Sequence, residues 1–293
     1  MIVFLLHILI VTGIYALIVL GLQLSIGRGR VLLIAPTIFF AIGAYSYAVL
    51  TTTLQWPSYL SAPIASMLGA WAGYITGFLT LRLKGDHLVL ASLGLCEIVR
   101  SILNNWDGLT NGSIGIMNIP SLFSTTNRNQ ELWCFLIAIF VLVSFTFVFS
   151  NWLSQQPFGL VHASLDGDEA GVEAIGKRVG GAKRAGIALG GFIAGIAGVL
   201  FAAYTSYIDP TTFTVGESIM IFAMLAIGGL GSPFGAILGA CLFVLLPEFL
   251  RFLGLPDHVA DPARRMICGV MLLLVMRFRP NGLINNSVLN YRK

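Results

Sequence analysis

The amino-acid sequence predicts an all-α, polytopic integral membrane helix bundle of about eight to nine transmembrane segments, with the N-terminus outside and the C-terminus cytoplasmic. Three observations predict it. Of 293 residues, 57% are hydrophobic and only 10% are charged, whereas a water-facing domain carries about 25% charged residues. Too few charges remain to coat a soluble surface, so lipid must solvate most of it. Apolar runs near the length that crosses ~30 Å of hydrocarbon, about 20 residues at 1.5 Å each, recur along the whole chain. Basic residues fall in short clusters between those runs, and the clusters are biased toward one side.

Full-length runs lie at about 2–24, 31–53, 60–81, 132–153, 185–207, 234–250 and 264–278. Two weaker segments, 86–103 and 218–230, complete the count; the first contains Glu97 and Arg100, and the second has only about 13 residues. Each weak segment is either a short spanning helix lined by protein or a re-entrant element, because irregular backbone survives at that depth only when shielded from lipid. The first run lacks a basic n-region and a persuasive cleavage site, so it reads as a membrane helix rather than a signal peptide.

Orientation follows from the loop charges. With the N-terminus outside and every segment crossing, the inner side receives Arg28, Arg30, Arg82, Lys84, Lys177, Arg178, Lys183, Arg184, Arg277, Arg279, Arg292 and Lys293. The outer side receives Arg128, Arg251, Arg264 and Arg265, and Arg100 lies within a segment. The three arginines near 251–265 are the exception to an otherwise consistent bias. The distribution, in clusters rather than one long stripe, excludes a nucleic-acid partner despite the net charge of +4.

Small residues recur at four-residue spacing: Gly69, Gly73 and Gly77; Gly186 and Gly190; Gly191 and Gly195; Gly231, Gly235 and Gly239. This spacing puts them on one helix face and lets another backbone approach closely, and packing within the chain is the favoured reading over a dedicated dimer face. The cysteines at 96, 134, 241 and 268 lie in apolar stretches with no C-x-x-C spacing, so they read as small buried hydrophobes rather than zinc ligands or disulfides.

Three polar stretches interrupt the apolar pattern. The longest, 154–184, lies on the side assigned to the cytoplasm. Within it Asp168 can cap a short helix to Val179, Glu169 suits its first turn, Glu173 pairs with Lys177 at i,i+4, and Ala170 and Ala174 keep a small face. Such a helix is a docking element for a peripheral partner, or else the stretch is an ordinary solvated loop. Gly171-x-x-x-x-Gly176-Lys177-Arg178 lacks the final Ser or Thr of a phosphate-binding loop and the strand before it, which argues against nucleotide binding by this chain.

The second stretch, 82–120, carries Glu97 and Arg100 three residues apart on one helix face, followed by Asn104, Asn105, Trp106 and Asp107 in a polar outer loop. Ionisable groups at membrane depth are costly, so the pair has either a role in transport or a structural purpose near an interface. The third stretch, Gly228-Gly229-Leu230-Gly231-Ser232-Pro233, is either a broken helix of a transport path or a cytoplasmic hairpin. Catalytic constellations are otherwise absent. The histidines at 7, 87, 162 and 258 are scattered, with no H-E-x-x-H or G-x-S-x-G spacing, and no cofactor or metal is expected.

In this order the stretches resemble the permease subunits of branched-chain amino acid ABC importers, the LivM type. The resemblance covers most of the chain. It is carried by Leu81-Arg82-Leu83-Lys84-Gly85, by Ala91 through Arg100, by Leu103-Asn104-Asn105-Trp106-Asp107, by Leu109 through Gly112 and on to Pro120, and by Ile227 through Ser232 with Phe234-Gly235 and Leu238-Gly239-Ala240.

The resemblance implies one permease domain over 1–293 in a bacterial inner membrane, and a cytoplasmic loop over about 154–184 that couples to an ATPase. Glu169, Ala170, Glu173, Ala174 and Gly176 match the family's coupling pattern, and Asp168 beside them is a further ATPase-coupling candidate. Just upstream, Leu160 and Ala163–Asp166 depart from it and make the loop more acidic; His87 is a second departure. Also implied are ABC ATPase subunits, a second permease chain (sister or self) and an extracytoplasmic solute-binding protein, met by Asn104, Asn105, Trp106 and Asp107. Glu97, Arg100, Gly228, Gly229 and Gly231 are candidate path residues. Branched-chain amino acids are the leading cargo, with urea or short amides as the alternative; an ion-coupled secondary transporter is the main rival class, which intramembrane charges and internal repeats would favour.

Overall fold

The computed structural model describes residues 2–26, 35–80, 86–123, 128–156 and 179–252, together with single positions at 83, 159, 266, 269, 270, 277 and 283. Along these residues run α1 (Ile2–Ile26), α2 (Pro36–Thr52), α3 (Ser58–Thr80), α4 (Asp86–Asn105), the short α5 (Asp107–Thr110), β1 (Ile116–Met117), α6 (Arg128–Gln155), α7 (Val179–Thr205), β2 (Tyr207–Ile208), α8 (Val215–Gly228) and α9 (Pro233–Phe252). Single 3-10 turns occupy Gly112–Ile114 and Pro210–Thr212. The chain is a polytopic helical membrane protein. Among the described residues, five helices are long and apolar enough to cross a bilayer, and α2, α8 and α9 are shorter apolar helices.

Where boundaries differ from the sequence expectation, capping chemistry explains it. Within the run expected at 31–53, α2 begins at Pro36 after non-helical Ala35, and the missing N–H and fixed φ of proline suit a first helical position. The weak segment 218–230 is helical from Val215, because the Thr214 hydroxyl accepts the Glu217 N–H at 3.3 Å. The other weak segment, 86–103, is an uninterrupted 20-residue helix. The run at 264–278 lies outside the described residues apart from isolated positions.

The centre of the bundle is α7, whose small residues admit three backbones. A Cβ on Gly191 would stand 2.6 Å from the Gly69 carbonyl oxygen of α3, and one on Gly73 would stand 2.7 Å from the Ile187 oxygen. A Cβ on Gly21 of α1 would meet the Gly190 oxygen at 2.8 Å, while Gly43 of α2 abuts Gly195. The glycine spacing read from the sequence therefore serves packing within the chain, where close backbone approach supplies the dispersion that lipid cannot.

Cross-contacts fix which ends lie together. The start of α1 meets the end of α7, where His7 Nδ1 and the Tyr204 hydroxyl are 2.6 Å apart. At that end β1 pairs antiparallel with β2, Ile116 opposite Ile208. At the opposite end Gln23 of α1 reaches the turn between α8 and α9. Its amide oxygen, placed to face donors, accepts the N–H groups of Gly231 at 2.7 Å and Ser232 at 3.2 Å.

Candidate functional site

Two faces of the bundle differ in character. On α3 and α6 the outward side chains are large and apolar, among them Met67, Trp71, Phe78, Phe140, Phe145 and Trp152. Such faces suit lipid. On α4 the outward stripe also carries polar groups: His87, Gly94, Glu97, Ser101 and Asn105 are interleaved with exposed Leu90 and Ile98 and edged by Ile102, while Leu88, Ser92 and Cys96 turn inward. These outward positions recur at intervals of three, four and seven, so they form one face of a helix. The outward surface is therefore mixed, with charged and polar groups set among aliphatic ones.

Glu97 and Arg100 lie near the middle of that stripe and bind each other. Arg100 Nε donates to both Glu97 carboxylate oxygens at 3.0 Å, and one of its Nη groups also donates to Glu97. Their side chains keep 49% and 31% of their exposure, respectively. The structure thus joins the two residues as the sequence spacing requires, on a surface that no described part of the chain covers. A lone charge at the centre of a membrane helix costs about 2.5–3.5 kcal/mol on insertion scales, and mutual neutralisation removes much of that cost.

Behind the stripe, Cys96 Sγ lies 3.1 Å from Thr37 Oγ1 and 3.7 Å from Ser218 Oγ, and the two hydroxyls hydrogen-bond each other. All three groups are buried. Cys96 is near the middle of α4, yet Thr37 is in the first turn of α2 and Ser218 in the first turn of α8. Two helices therefore begin at a depth where a third is half-way across. Their N-termini bring unpaired N–H groups and partial positive charge there. Glu217, in the first turn of α8, answers that charge and accepts a 2.5 Å hydrogen bond from Tyr15, a residue near the middle of α1.

At the end of the bundle that holds β1 and β2, the residues after α4 fold back on themselves. Asn105 Nδ2 donates to the Ser101 carbonyl at 2.7 Å, and buried Thr110 donates to the Leu103 and Trp106 carbonyls at 2.6 and 2.8 Å. Trp106 and Asp107 are exposed, and Asn104 is half-buried. The loop after α7 joins this crown, since Tyr207 donates to the Ile114 carbonyl at 3.0 Å and Asp209 holds the turn at 210–212 through Thr211 and Thr212. The sequence signalled only the first half of the crown.

Gly228, Gly229 and Gly231 form the α8–α9 turn, with Gly229 at φ 118° and Gly231 at φ 93°. Gly228 and Gly235 meet backbone to backbone. This turn is a hairpin closed by Gln23, about 15 Å along α8 from Ser218 at 1.5 Å per residue, and so the structure does not bring these glycines to the Glu97–Arg100 pair. Gln23 is 4% exposed. Gln23→Leu removes the acceptor of the Gly231 N–H and leaves the Ser232 N–H only its 3.4 Å contact with the Gly229 carbonyl, at a cost of about 1–3 kcal/mol. The expected result is a lower melting temperature for the detergent-purified chain, with Gln23→Glu, which retains acceptors, closer to wild type. Asp168, Glu169, Ala170, Glu173, Ala174 and Gly176 lie outside the described residues.

Sequence reasoning missed Tyr15, Thr37, Cys96, Glu217 and Ser218 as a group. One local signal was present: Thr214-x-x-Glu217 ahead of an apolar run is a capping-box pattern. The remaining residues are ordinary hydroxyl, thiol and phenol side chains on distant segments, and only tertiary packing assembles them.

A family model described as branched-chain amino acid transport system / permease component matches residues 4–276. The chain is 32% identical over 297 residues to the high-affinity branched-chain amino acid transport system permease protein LivM of Escherichia coli K12, covering 93% of this chain and 68% of the relative. It is 29% identical to the probable branched-chain amino acid transport permease protein LivM of Methanocaldococcus jannaschii, over 77% of this chain and 67% of that one. The autoinducer 2 import system permease protein LsrC of Escherichia coli is 28% identical, over 74% of this chain and 64% of its own length. No solved structure matches.

Proposed function

The chain belongs to the family of branched-chain amino acid transport system permease components, and on that premise we propose that it is the membrane subunit of an ABC importer in a bacterial inner membrane, moving branched-chain or related amino acids. The outward polar stripe of α4 carries the proposal. A face with Glu97, Arg100, Ser101 and Asn105 is expensive against hydrocarbon and natural against water or protein. A second permease chain set against it encloses a hydrated path, with Glu97 and Arg100 on its wall. Gly228, Gly229 and Gly231 keep a place in the proposal as the close-packed end of the α8 wall.

The remaining parts follow from the family. Energy comes from separate ATPase subunits, which dock on the cytoplasmic loop at about 154–184 through Asp168, Glu169, Ala170, Glu173, Ala174 and Gly176. A solute-binding protein meets the crown at Asn104, Asn105, Trp106 and Asp107. Nucleotide-dependent docking shifts the equilibrium between outward- and inward-open states only to the extent that the ATPases bind the two states differently. All of this occupies a single permease domain over 1–293, with the N-terminus outside.

Affinity purification of the tagged chain in mild detergent tests the proposal. An ATP-binding subunit is expected to copurify with the wild type and to be lost from Glu169→Ala/Glu173→Ala. Recovery of the chain alone, with uptake driven by an ion gradient in vesicles, would overturn it in favour of a secondary transporter. Orientation has its own check. In a background without the four native cysteines, S164C is expected to react with a membrane-impermeant maleimide only after cells are permeabilised. Labelling of intact cells would invert the topology.

A further inference from the structure

We infer that the Glu97–Arg100 pair is a zwitterion-recognising subsite, which opens to take the ammonium of an α-amino acid on Glu97 and its carboxylate on Arg100. The inference rests on the permease reading and gives one point on the proposed path a substrate chemistry.

The first argument is charge balance. A closed pair is neutral, and it stays neutral when a zwitterion is inserted, because each new contact joins opposite charges. A cargo with net charge would leave one charge of the opened pair uncompensated within the membrane, which is unfavourable. An uncharged polar cargo has nothing with which to replace the ion pair that it would have to break. The pair therefore favours cargoes that carry both charges close together, as an α-amino acid does across a single carbon.

The second argument is hydrogen-bond capacity. Arg100 directs Nε and one Nη group at Glu97. Its second Nη group makes no hydrogen bond among the described residues, and guanidinium presents five donors in a planar fork that matches a carboxylate. The Glu97 carboxylate, half-exposed, retains lone pairs for an ammonium. Substrate can thus engage both residues before their mutual bonds part.

The third argument is shape. Gly94 lies one turn from Glu97 on the same outward face, and a Cβ placed there would meet nothing within 4 Å. Packing does not require that glycine, and its absent side chain leaves open space beside the pair. Leu90 and Ile98 lie on the same outward surface and Ile102 at its edge, all exposed. They offer an aliphatic bed to an apolar side chain whose charged end is held by the pair. An open glycine position, a free guanidinium edge and exposed aliphatic side chains around two opposite charges suit a small apolar zwitterion.

A structural ion pair makes a different prediction. Replacing both members of such a pair with apolar residues is often neutral or stabilising. The test is the assembled transporter in proteoliposomes, with leucine as the probe and uptake measured per ATP hydrolysed. Glu97→Leu/Arg100→Met is expected to assemble with its partners and keep its melting temperature, yet to lose at least tenfold in leucine uptake per ATP. Gly94→Leu, which fills the open space beside the pair without a clash, is expected to do the same.

Wild-type uptake per ATP in both variants would overturn the inference, leaving the pair structural. Wild-type transporter that carries only uncharged, non-zwitterionic solutes would also overturn it, while the permease reading stands. If the wild-type assembly neither hydrolyses ATP in response to a loaded binding protein nor takes up any solute, the permease reading itself falls and the inference with it. A direct measurement separates the two charges. For the transporter in nanodiscs, leucine binding is expected to be displaced weakly by leucinamide and by N-acetyl-leucine, and Glu97→Gln is expected to narrow the gap between leucine and N-acetyl-leucine at least tenfold. An unchanged gap would remove Glu97 from ammonium recognition.

Discussion

Gly191→Leu abolishes the folded protein. A Cβ at 191 already stands 2.6 Å from the Gly69 carbonyl oxygen and 3.2 Å from the Gly73 Cα. Both obstacles are backbone, so no side chain can rotate away. Overpacking a core with flexible neighbours costs about 1–3 kcal/mol. Here two helices must separate and surrender their contacts along α3 and α7, against a total stability on the order of 5–15 kcal/mol. The expected readout is loss of the monodisperse peak in fluorescence-detected size exclusion and a sharp fall in membrane abundance. Gly94→Leu, at a glycine in open space, is expected to keep that peak. A normal profile for Gly191→Leu would mean that α3 and α7 do not rely on close approach.

Tyr15→Phe comes next in size. The ring stays and only the hydroxyl leaves, taking with it the 2.5 Å hydrogen bond to Glu217. A hydrogen bond to a charged group contributes about 1.5–3 kcal/mol, and a carboxyl stranded at mid-depth adds its own desolvation cost. A lowered melting temperature is expected. Adding Glu217→Leu to Tyr15→Phe removes the stranded group and should recover part of the loss, a non-additivity that reports direct coupling. If Tyr15→Phe melts like wild type, water satisfies the carboxyl and α1 is not tied to α8 through it.

The positions of the long described helices were legible because lipid enforces length and apolarity segment by segment. Ile2–Ile26 and Arg128–Gln155 announce themselves in this way. The α-helical state of 86–105 was less evident, since the charges that weaken its apolar signal are those that define its outward stripe. The Glu97–Arg100 contact was readable from i,i+3 geometry alone. Its outward direction was not, because facing is set by what α2, α3 and α8 bury on the other side. The knot of Thr37, Cys96 and Ser218 joins residues up to 181 positions apart, and no local pattern encodes that. The end of the chain that fastens Gly231 was equally hidden: Gln23 is an ordinary polar residue near a helix end until the fold brings it 208 positions away from its own neighbourhood, and the amide then closes a turn.

The central position of α7 has a consequence for synthesis. Helices α1, α2 and α3 leave the ribosome with their glycine faces turned toward a helix that does not yet exist. From Ile26 to Val179 roughly 150 further residues must be made, which at 5–20 residues per second takes on the order of ten to thirty seconds. During that interval the glycine faces of the early helices lack the partner they meet in the finished fold, although α2 can already pack on α3 and α1 on α6. The arrival of α7 then closes the backbone contacts of α1, α2 and α3 together. A nascent chain arrested just before Val179 should therefore be protease-sensitive and readily crosslinked to insertion factors, and one arrested well beyond Thr205 should be neither.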